Sequence, residues 1–173
     1  MGMFAGPQSY FGFRKELQTD LLSSAKLIEK EYKDWKKIFV TGKKEAAVKI
    51  DTGLLEYYGP KNPKTVLVTL GTVAGTIKQV IDDAGIKNST GLLKLRCYRP
   101  FPAEQIKKVL SGVKQVISIE KTYGLGYLPP LHLDLAAALY GEPIKLASQV
   151  VGLGGQDVTE LEISKIIKAY EKI

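Results

Sequence analysis

The sequence contains one cysteine and one histidine among 173 residues, Cys97 and His132. Iron–sulfur clusters and structural zinc sites take several cysteine or histidine ligands, so this chain cannot build either by itself. A disulfide needs two cysteines, so a disulfide framework is excluded too, which favours a reducing compartment. A chain of this length can bury enough surface to fold without such cross-links.

Long apolar runs and blocks of like charge are also missing. No run approaches the roughly 18 residues of a membrane span, and the N-terminus lacks the basic and apolar regions of a secretory signal. We therefore expect a cytoplasmic protein without membrane contact. The net charge is +7, but basic residues are spread along the chain. This distribution is more typical of a solvated surface than of a nucleic-acid interface.

The first part of the chain carries apolar residues at helical spacing. These are Leu17, Leu21, Ala25, Ile28, Tyr32, Trp35 and Phe39. The pattern predicts one long amphipathic helix over roughly residues 13–38, ended by Gly42. Its apolar stripe is covered either by the following domain or by another subunit, and the sequence leaves both open.

Residues 42–63 are predicted to be a linker with one possible short strand, "LLEYYG". From residue 64 onward, four strand-like runs, the first of them apolar and β-branched, alternate with four segments of helical period. This alternation predicts an α/β domain with a parallel sheet and helices on its faces. We divide the chain into an N-terminal helical segment with linker, 1–62, and an α/β domain, 63–173.

The carboxyl ends of parallel strands lie on one edge of the sheet, where ligands of open α/β sheets usually bind. A glycine cluster, Gly152 to Gly155, follows the fourth run. Thr159 and Glu162 form a capping box just after it, and Asp157 adds a negative charge that repels phosphate. These features favour a structural turn over a phosphate site.

The stretch Arg99-Pro100-Phe101-Pro102 follows the second strand. Pro100 restricts Arg99, and Pro102 fits the first turn of a helix. The favoured interpretation is a rigid turn with Phe101 as a plug. The alternative is a docking knob with Arg99 as its charged anchor.

In "LLKLRCYR", just before this stretch, Lys94, Arg96 and Tyr98 alternate with apolar residues. A strand buried on both faces does not alternate in this way. The pattern therefore predicts a strand near an edge, with one face open or covered by polar groups of another subunit. The long side chains could also extend past a helix.

No catalytic constellation emerges. His132 has no serine or cysteine placed to use it as a base, so we interpret it as structural. Glu120, at the end of the third run, is expected to be half of an ion pair with Arg99 or Lys121. We predict no catalytic, cofactor-binding or metal-binding residue.

Four motifs occur in order: "LVTLGTVAGTIKQVID", "GLLKLRCYRPFPAEQI", "VKQVISIEK" and "GLGGQDVTELEI". Together they resemble the C-terminal part of the alpha subunit of pyruvate (2-oxoacid):ferredoxin oxidoreductases. The resemblance implies a three-layer, transketolase C-terminal-like fold with a mostly parallel mixed sheet, and it makes "LLEYYG" an antiparallel edge strand. The N-terminal helix also resembles that family's entry helix.

The resemblance implies a subunit-organising role without catalysis. It implies that thiamine diphosphate, magnesium, coenzyme A and Fe–S clusters are held elsewhere in the complex. The expected partners are other subunits or domains of the oxidoreductase, ferredoxin indirectly, and further copies of the chain. Arg96, Arg99, Phe101, Glu120 and Asp157 become candidates for shaping the rim and its contacts.

Two alternatives remain open. One is the C-terminal domain of another thiamine-dependent enzyme, a transketolase or a 2-oxoacid dehydrogenase. The other is a free-standing binding module that takes a small anionic ligand at its glycine-rich rim.

Overall fold

The computed structural model describes residues 6–39, 48–83 and 89–171. They form five α-helices: α1 (Pro7–Phe39), α2 (Val73–Asp83), α3 (Ala103–Val109), α4 (Pro130–Ala138) and α5 (Glu160–Glu171). They also form six strands: β1 (Val48–Asp51), β2 (Leu55–Tyr58), β3 (Thr65–Leu70), β4 (Thr90–Leu95), β5 (Gln115–Glu120) and β6 (Lys145–Val150).

The six strands form one sheet in the order β1-β2-β4-β3-β5-β6. β4, β3, β5 and β6 pair in parallel, while β1 and β2 run antiparallel at one end. The four predicted strand–helix pairs all occur. The three-layer α/β architecture with a mostly parallel mixed sheet is thus confirmed.

Each face of the sheet carries its own apolar core. Val66 and Val68 of β3 point to the face covered by α3 and α4, and Leu67 between them points to the face covered by α2 and α5. Because helices cover both faces, alternate residues on either side of the strand are all buried. This explains why the inner strands read as continuous apolar runs.

The predicted linker contains two strands of the sheet. β2 is antiparallel, as expected, but β1 lies outside it, so the prediction that "LLEYYG" forms the edge strand was wrong. β1 has only four residues, and short edge strands offer little backbone for pairing with other chains. The sheet therefore extends into the segment 1–62, and the division at residue 62 does not coincide with its border.

The position of β4 also differs from expectation. It lies between β2 and β3, not near an edge, and it ends at Leu95. Arg96 follows the strand, and its side chain meets the carboxylates of Asp51 and Glu56. Of the polar residues in this alternation, Arg96 is thus explained by acidic partners on the two antiparallel strands.

α1 is longer than predicted, and none of its residues is buried. Gly42, the expected helix end, lies outside the described residues. Among the helices of the described residues, none has both the length and the apolar character needed to cross a membrane.

Replacing Ile117 by alanine tests the core beneath α2 and α5, because its side chain is fully buried there. We expect the free energy of unfolding to fall by about 2 to 5 kcal/mol, from lost burial and the cavity left behind. Urea denaturation measures this. Leu161→Ala is the control: Leu161 is 65% exposed, so we expect a change within about 0.5 kcal/mol. Equal effects would contradict the assigned core.

Candidate functional site

The carboxyl ends of β3, β4, β5 and β6 share one edge of the sheet, which we call the rim. A cavity of about 290 Å³ opens in it between β3 and β5. From this point the chain continues in opposite directions, from β3 through α2 to β4 and from β5 through α4 to β6. Such a switch point is where open α/β sheets usually bind ligands. The polar side chains lining it belong to Thr69, Thr72, Glu120, Lys121 and Thr122.

Glu120 lines this cavity but is engaged by the start of a helix. Its Oε2 accepts a hydrogen bond from the Leu131 N–H at 2.7 Å, and its Oε1 accepts one from the His132 N–H at 3.1 Å. These donors have no acceptor within their own helix, so the carboxylate stabilises the beginning of α4. Burial raises the pKa of Glu120, although both hydrogen bonds act to lower it.

The expected ion pair of Glu120 with Arg99 or Lys121 was therefore wrong. Arg99 pairs instead with Asp134 of α4, with 2.9 Å between Nη2 and Oδ2. Its guanidinium lies 4.3 Å from the centre of the Tyr98 ring. Burial, together with the hydrogen bond to Asp134, raises the pKa of Tyr98 to about 12.

Phe101 is directed inward. It is half-buried, packs against the core beneath α3 and α4, and meets Tyr98 edge to face at 6.0 Å between ring centres. Pro100 is buried and follows a cis peptide bond. This geometry corresponds to the plug interpretation of the turn. Arg99, with its side chain half-exposed, is the part of the turn that faces solvent.

The glycine cluster forms a tight turn. Gly152 has a φ of 60°, and a Cβ there would lie 2.6 Å from Val158 and 3.0 Å from the Lys121 side chain. Thr159 Oγ1 accepts a hydrogen bond from the Glu162 N–H at 3.2 Å, so it caps α5 as predicted. The glycines thus serve the change of chain direction, while Asp157 is exposed in the loop before α5.

Arg96 joins three parts of the structure. Its guanidinium contacts the carboxylates of Asp51 in β1 and Glu56 in β2, and it lies 5.0 Å from the centre of the Tyr32 ring in α1. Glu56 is only 6% exposed and also pairs with Lys78 of α2. A buried carboxylate needs such cationic partners because desolvation otherwise disfavours its charge.

Asp51 links this arrangement to α1. Its Oδ2 accepts hydrogen bonds from the Tyr32 hydroxyl and the Lys36 ammonium group, both at 2.9 Å. Burial acts to raise the pKa of Asp51, but hydrogen bonds from Lys36, Arg96 and Tyr32 hold it below its usual value. We call Tyr32, Lys36, Asp51, Glu56 and Arg96 the docking cluster, because they attach α1 to the sheet.

Two apolar surfaces extend from this framework. The first is the α1 stripe: Tyr10, Phe13, Leu17, Leu21, Ile28 and Trp35, of which all but Ile28 are exposed large hydrophobic residues. The second is the rim hairpin, residues 123–128, closed by a bridge between Gly124 and Tyr127. Leu125 at its tip is 93% exposed. Exposed apolar groups at this density indicate contact surfaces.

The candidate residues are therefore divided among several places. Arg99 and Phe101 share one turn, Arg96 belongs to the docking cluster, Glu120 stabilises α4, and Asp157 lies in a separate loop. The sequence did not reveal Asp51 and Glu56 as the partners of Arg96. The sequence did contain a signal for these partners. The two short segments on either side of Gly53 each carry one acidic residue, and pairing of these segments as a hairpin places both acids on the same face.

Residues 64–163 match a known family, the pyruvate:ferredoxin oxidoreductase core domain II. Pyruvate synthase subunit PorA of Methanocaldococcus jannaschii is 33% identical over 171 residues, which cover 96% of this chain and 41% of that protein. The chain belongs to the pyruvate:ferredoxin oxidoreductase family. This confirms the resemblance carried by the four motifs.

The same subunit of Methanothermobacter thermautotrophicus is 31% identical over 172 residues, or 99% of this chain and 42% of that protein. The chain therefore spans about two fifths of the length of these relatives. A 2-oxoglutarate:ferredoxin oxidoreductase from Magnetococcus marinus shares the fold, with a TM-score of 0.52 at 15% identity over 78% of this chain and 21% of that chain.

The family implies several cofactors, and two of these groups, an Fe–S cluster and a metal ion, can be compared with the residues described here. One cysteine cannot ligate an Fe–S cluster. In the ranges 6–39, 48–83 and 89–171, there is no cluster of three His, Cys, Asp or Glu side chains that could bind a metal ion. This includes a metal ion of the kind that accompanies a bound diphosphate. The absence of any cofactor site in this oxidoreductase-family chain stays a prediction.

Replacing Arg96 by alanine leaves two carboxylates in the docking cluster without their shared cation. We expect a loss of about 2 kcal/mol in the free energy of unfolding. This is less than the loss on breaking a fully buried ion pair, because Arg96 is partly exposed. Hydrogen exchange of the α1 amides around Tyr32 should also accelerate. Arg14→Ala, on the exposed part of α1, is the control and should change neither. Unchanged exchange in Arg96→Ala would refute the docking role.

Acid should detach α1. The pKa of Asp51 is lowered in the docked state, so its contribution is complete above its undocked pKa of about 3.9 and is lost as pH falls below that value. Trp35, the only tryptophan, stacks on Tyr32 at 5.7 Å between ring centres, and its fluorescence reports detachment. Asp51→Asn should give the detached signal already at neutral pH. A signal independent of both changes would contradict this mechanism.

Proposed function

We propose that this chain is the non-catalytic, subunit-organising domain of a 2-oxoacid:ferredoxin oxidoreductase alpha chain. The complete complex oxidatively decarboxylates a 2-oxoacid to an acyl-CoA and reduces ferredoxin. Thiamine diphosphate, magnesium, coenzyme A and Fe–S clusters belong to its other parts, and this chain meets ferredoxin only indirectly. Family membership supports the assignment to this complex.

The observation that carries the organising role is the surface of α1. The helix has 33 residues, none buried, so it is about 50 Å long at 1.5 Å per residue. The docking cluster attaches only its C-terminal part, leaving the earlier turns with Phe13, Leu17 and Leu21 exposed. An amphipathic helix of this kind owes its stability to whatever covers its apolar face.

The docking cluster gives this surface a fixed direction. Asp51 holds α1 through Tyr32 and Lys36, and Gln105 of α3 adds a hydrogen bond to Glu29 at 2.7 Å. A partner seated on the α1 stripe is thereby positioned relative to the sheet. The rim hairpin, with Tyr123, Leu125 and Tyr127 exposed, supplies a second contact.

The alternatives are less well supported. The family match favours the ferredoxin-dependent branch over transketolases and 2-oxoacid dehydrogenases. The rim cavity could admit a small anion beside Lys121, but Glu120 lines the same cavity and opposes it. A larger cavity of about 820 Å³ lies at the opposite edge, near the ends of α3, α4 and α5. Lys64, Lys114 and Lys145 line it and attract anions, whereas Glu142 and the negative ends of the helix dipoles oppose them.

Co-expression with the candidate beta and gamma subunits and the remaining part of the alpha chain tests the proposal. We expect the tagged chain to co-purify with them and to be required for their assembly. Leu17→Gln, within the α1 stripe, should weaken capture about tenfold, as expected for an apolar interface residue.

Leu22→Gln is the matched control. Leu22 is 58% exposed and Leu17 54%, but five residues along a helix place Leu22 on another face, away from the stripe. It should leave capture unchanged. A wild-type chain that neither co-purifies nor affects assembly would overturn the proposed function.

A further inference from the structure

β6 ends the sheet with an open backbone edge. The N–H groups of Lys145 and Val151 donate to the carbonyls of Lys114 and Glu120 on the β5 side. Backbone groups alternate in direction along a strand, so Ala147 and Gln149 face β5 as well. Leu146, Ser148 and Val150 therefore direct both N–H and C=O outward. In the described parts of the chain, no strand pairs with this edge.

The edge lacks the features that usually prevent pairing. It contains neither proline nor a bulge, and its only charged residue is Lys145 at the first position. Gln149 is held by the Tyr170 hydroxyl at 2.9 Å, and Leu146 packs on the core beneath α4. Helices thus cover both faces of β6 while the edge stays open. Such an edge is a template for another strand.

The helix beside this edge has an uncharged outer surface. α4 contacts β5, β6 and α3, and Asp134 on its α3 side pairs with Arg99. Its exposed residues are Pro130, Leu133, Ala136, Ala137 and Tyr140, the last directly after the helix and 88% exposed. Ala136 and Tyr140 lie away from the Asp134 side of the helix. We call Leu133, Ala136, Ala137 and Tyr140 the α4 stripe.

We propose that a second copy of this chain binds here, pairing its β6 antiparallel to the first across a two-fold axis at Ser148. Ser148 then exchanges backbone hydrogen bonds with Ser148 of the other copy, and Leu146 pairs with Val150. The two sheets become one sheet of twelve strands, with the α4 stripes facing each other. This goes beyond the proposed function and does not depend on it.

This register is self-complementary. The outward-facing residues are arranged symmetrically about Ser148, so the same edge supplies donors and acceptors to its copy. Lys145 lies opposite Val151 and not opposite another Lys145, so the one charge of the strand avoids its equivalent. On the α4 face of the sheet, the uncharged α4 stripe likewise allows two chains of net charge +7 to approach without facing like charges.

The available surface suits a dimer of moderate affinity. A six-residue strand is about 20 Å long, and a sheet with a helix layer on each face is roughly 30 Å thick, which gives on the order of 600 Å² per partner. Stable interfaces typically bury about 800 Å² per partner. We therefore expect association in the micromolar range.

Sedimentation velocity across low to high micromolar concentrations, combined with hydrogen exchange, tests the pairing. We expect a monomer–dimer equilibrium. In the dimer, the amides of Leu146, Ser148 and Val150 should become protected. The amides of Ala147 and Gln149 should be protected in both states, because they already bond to β5.

Tyr140→Glu should raise the dimer dissociation constant at least about tenfold, because it places a charge within the apolar α4 stripe that the second copy covers. Ile38→Glu is the control: it makes a similar exposed apolar-to-acidic change on α1, close to Lys36 and β1 at the other end of the sheet. It should leave the constant unchanged.

A monomer at every concentration would overturn the proposal, even if another subunit captured the chain through Tyr140. So would a dimer in which the Leu146, Ser148 and Val150 amides exchange freely, since that dimer forms elsewhere, for example through the α1 stripe. Failure to co-purify with other subunits would count against the proposed function only.

Discussion

The contact of Arg96 with Asp51 and Glu56 is the interaction on which the arrangement of this molecule depends. It connects the two antiparallel strands, the end of β4 and the long helix α1. Both carboxylates are largely shielded from water, and Lys36 and Lys78 supplement Arg96 as their cationic partners. The cluster converts an otherwise exposed helix into a surface with a defined direction relative to the sheet.

The groups that the sequence places at the rim are largely engaged within the fold itself. At a switch point of this kind, many α/β proteins keep free backbone donors and charged groups for a ligand. Here Glu120 satisfies the start of α4, the glycines form a turn packed on Val158 and Lys121, and Phe101 fills the core. The accessible part of the rim includes the apolar hairpin around Leu125 and the charged side chains of Arg99 and Lys121.

The local pattern of the sequence was sufficient for the central part of the fold. Short strand-like runs alternating with helical segments predicted β3, β4, β5 and β6, and β3 and β5 are mostly apolar because helices cover both faces of the sheet. β1 was missed because a four-residue edge strand containing two charges has no such pattern. The site was anticipated less well. Arg96 was identified, but its partners are 45 and 40 residues distant in sequence.

From the sequence alone follow the long amphipathic helix, the four strand–helix pairs, the capping of α5 by Thr159, and the lack of ligands for a cluster. All of these depend on residue type and local spacing. Only the tertiary structure decided that Glu120 caps α4, that Arg99 pairs with Asp134, and that Asp51 and Glu56 receive Arg96. Each of these charged groups has several possible partners in the sequence. The partner that it binds is the one closest to it in the folded chain, because the attraction between charges falls with distance.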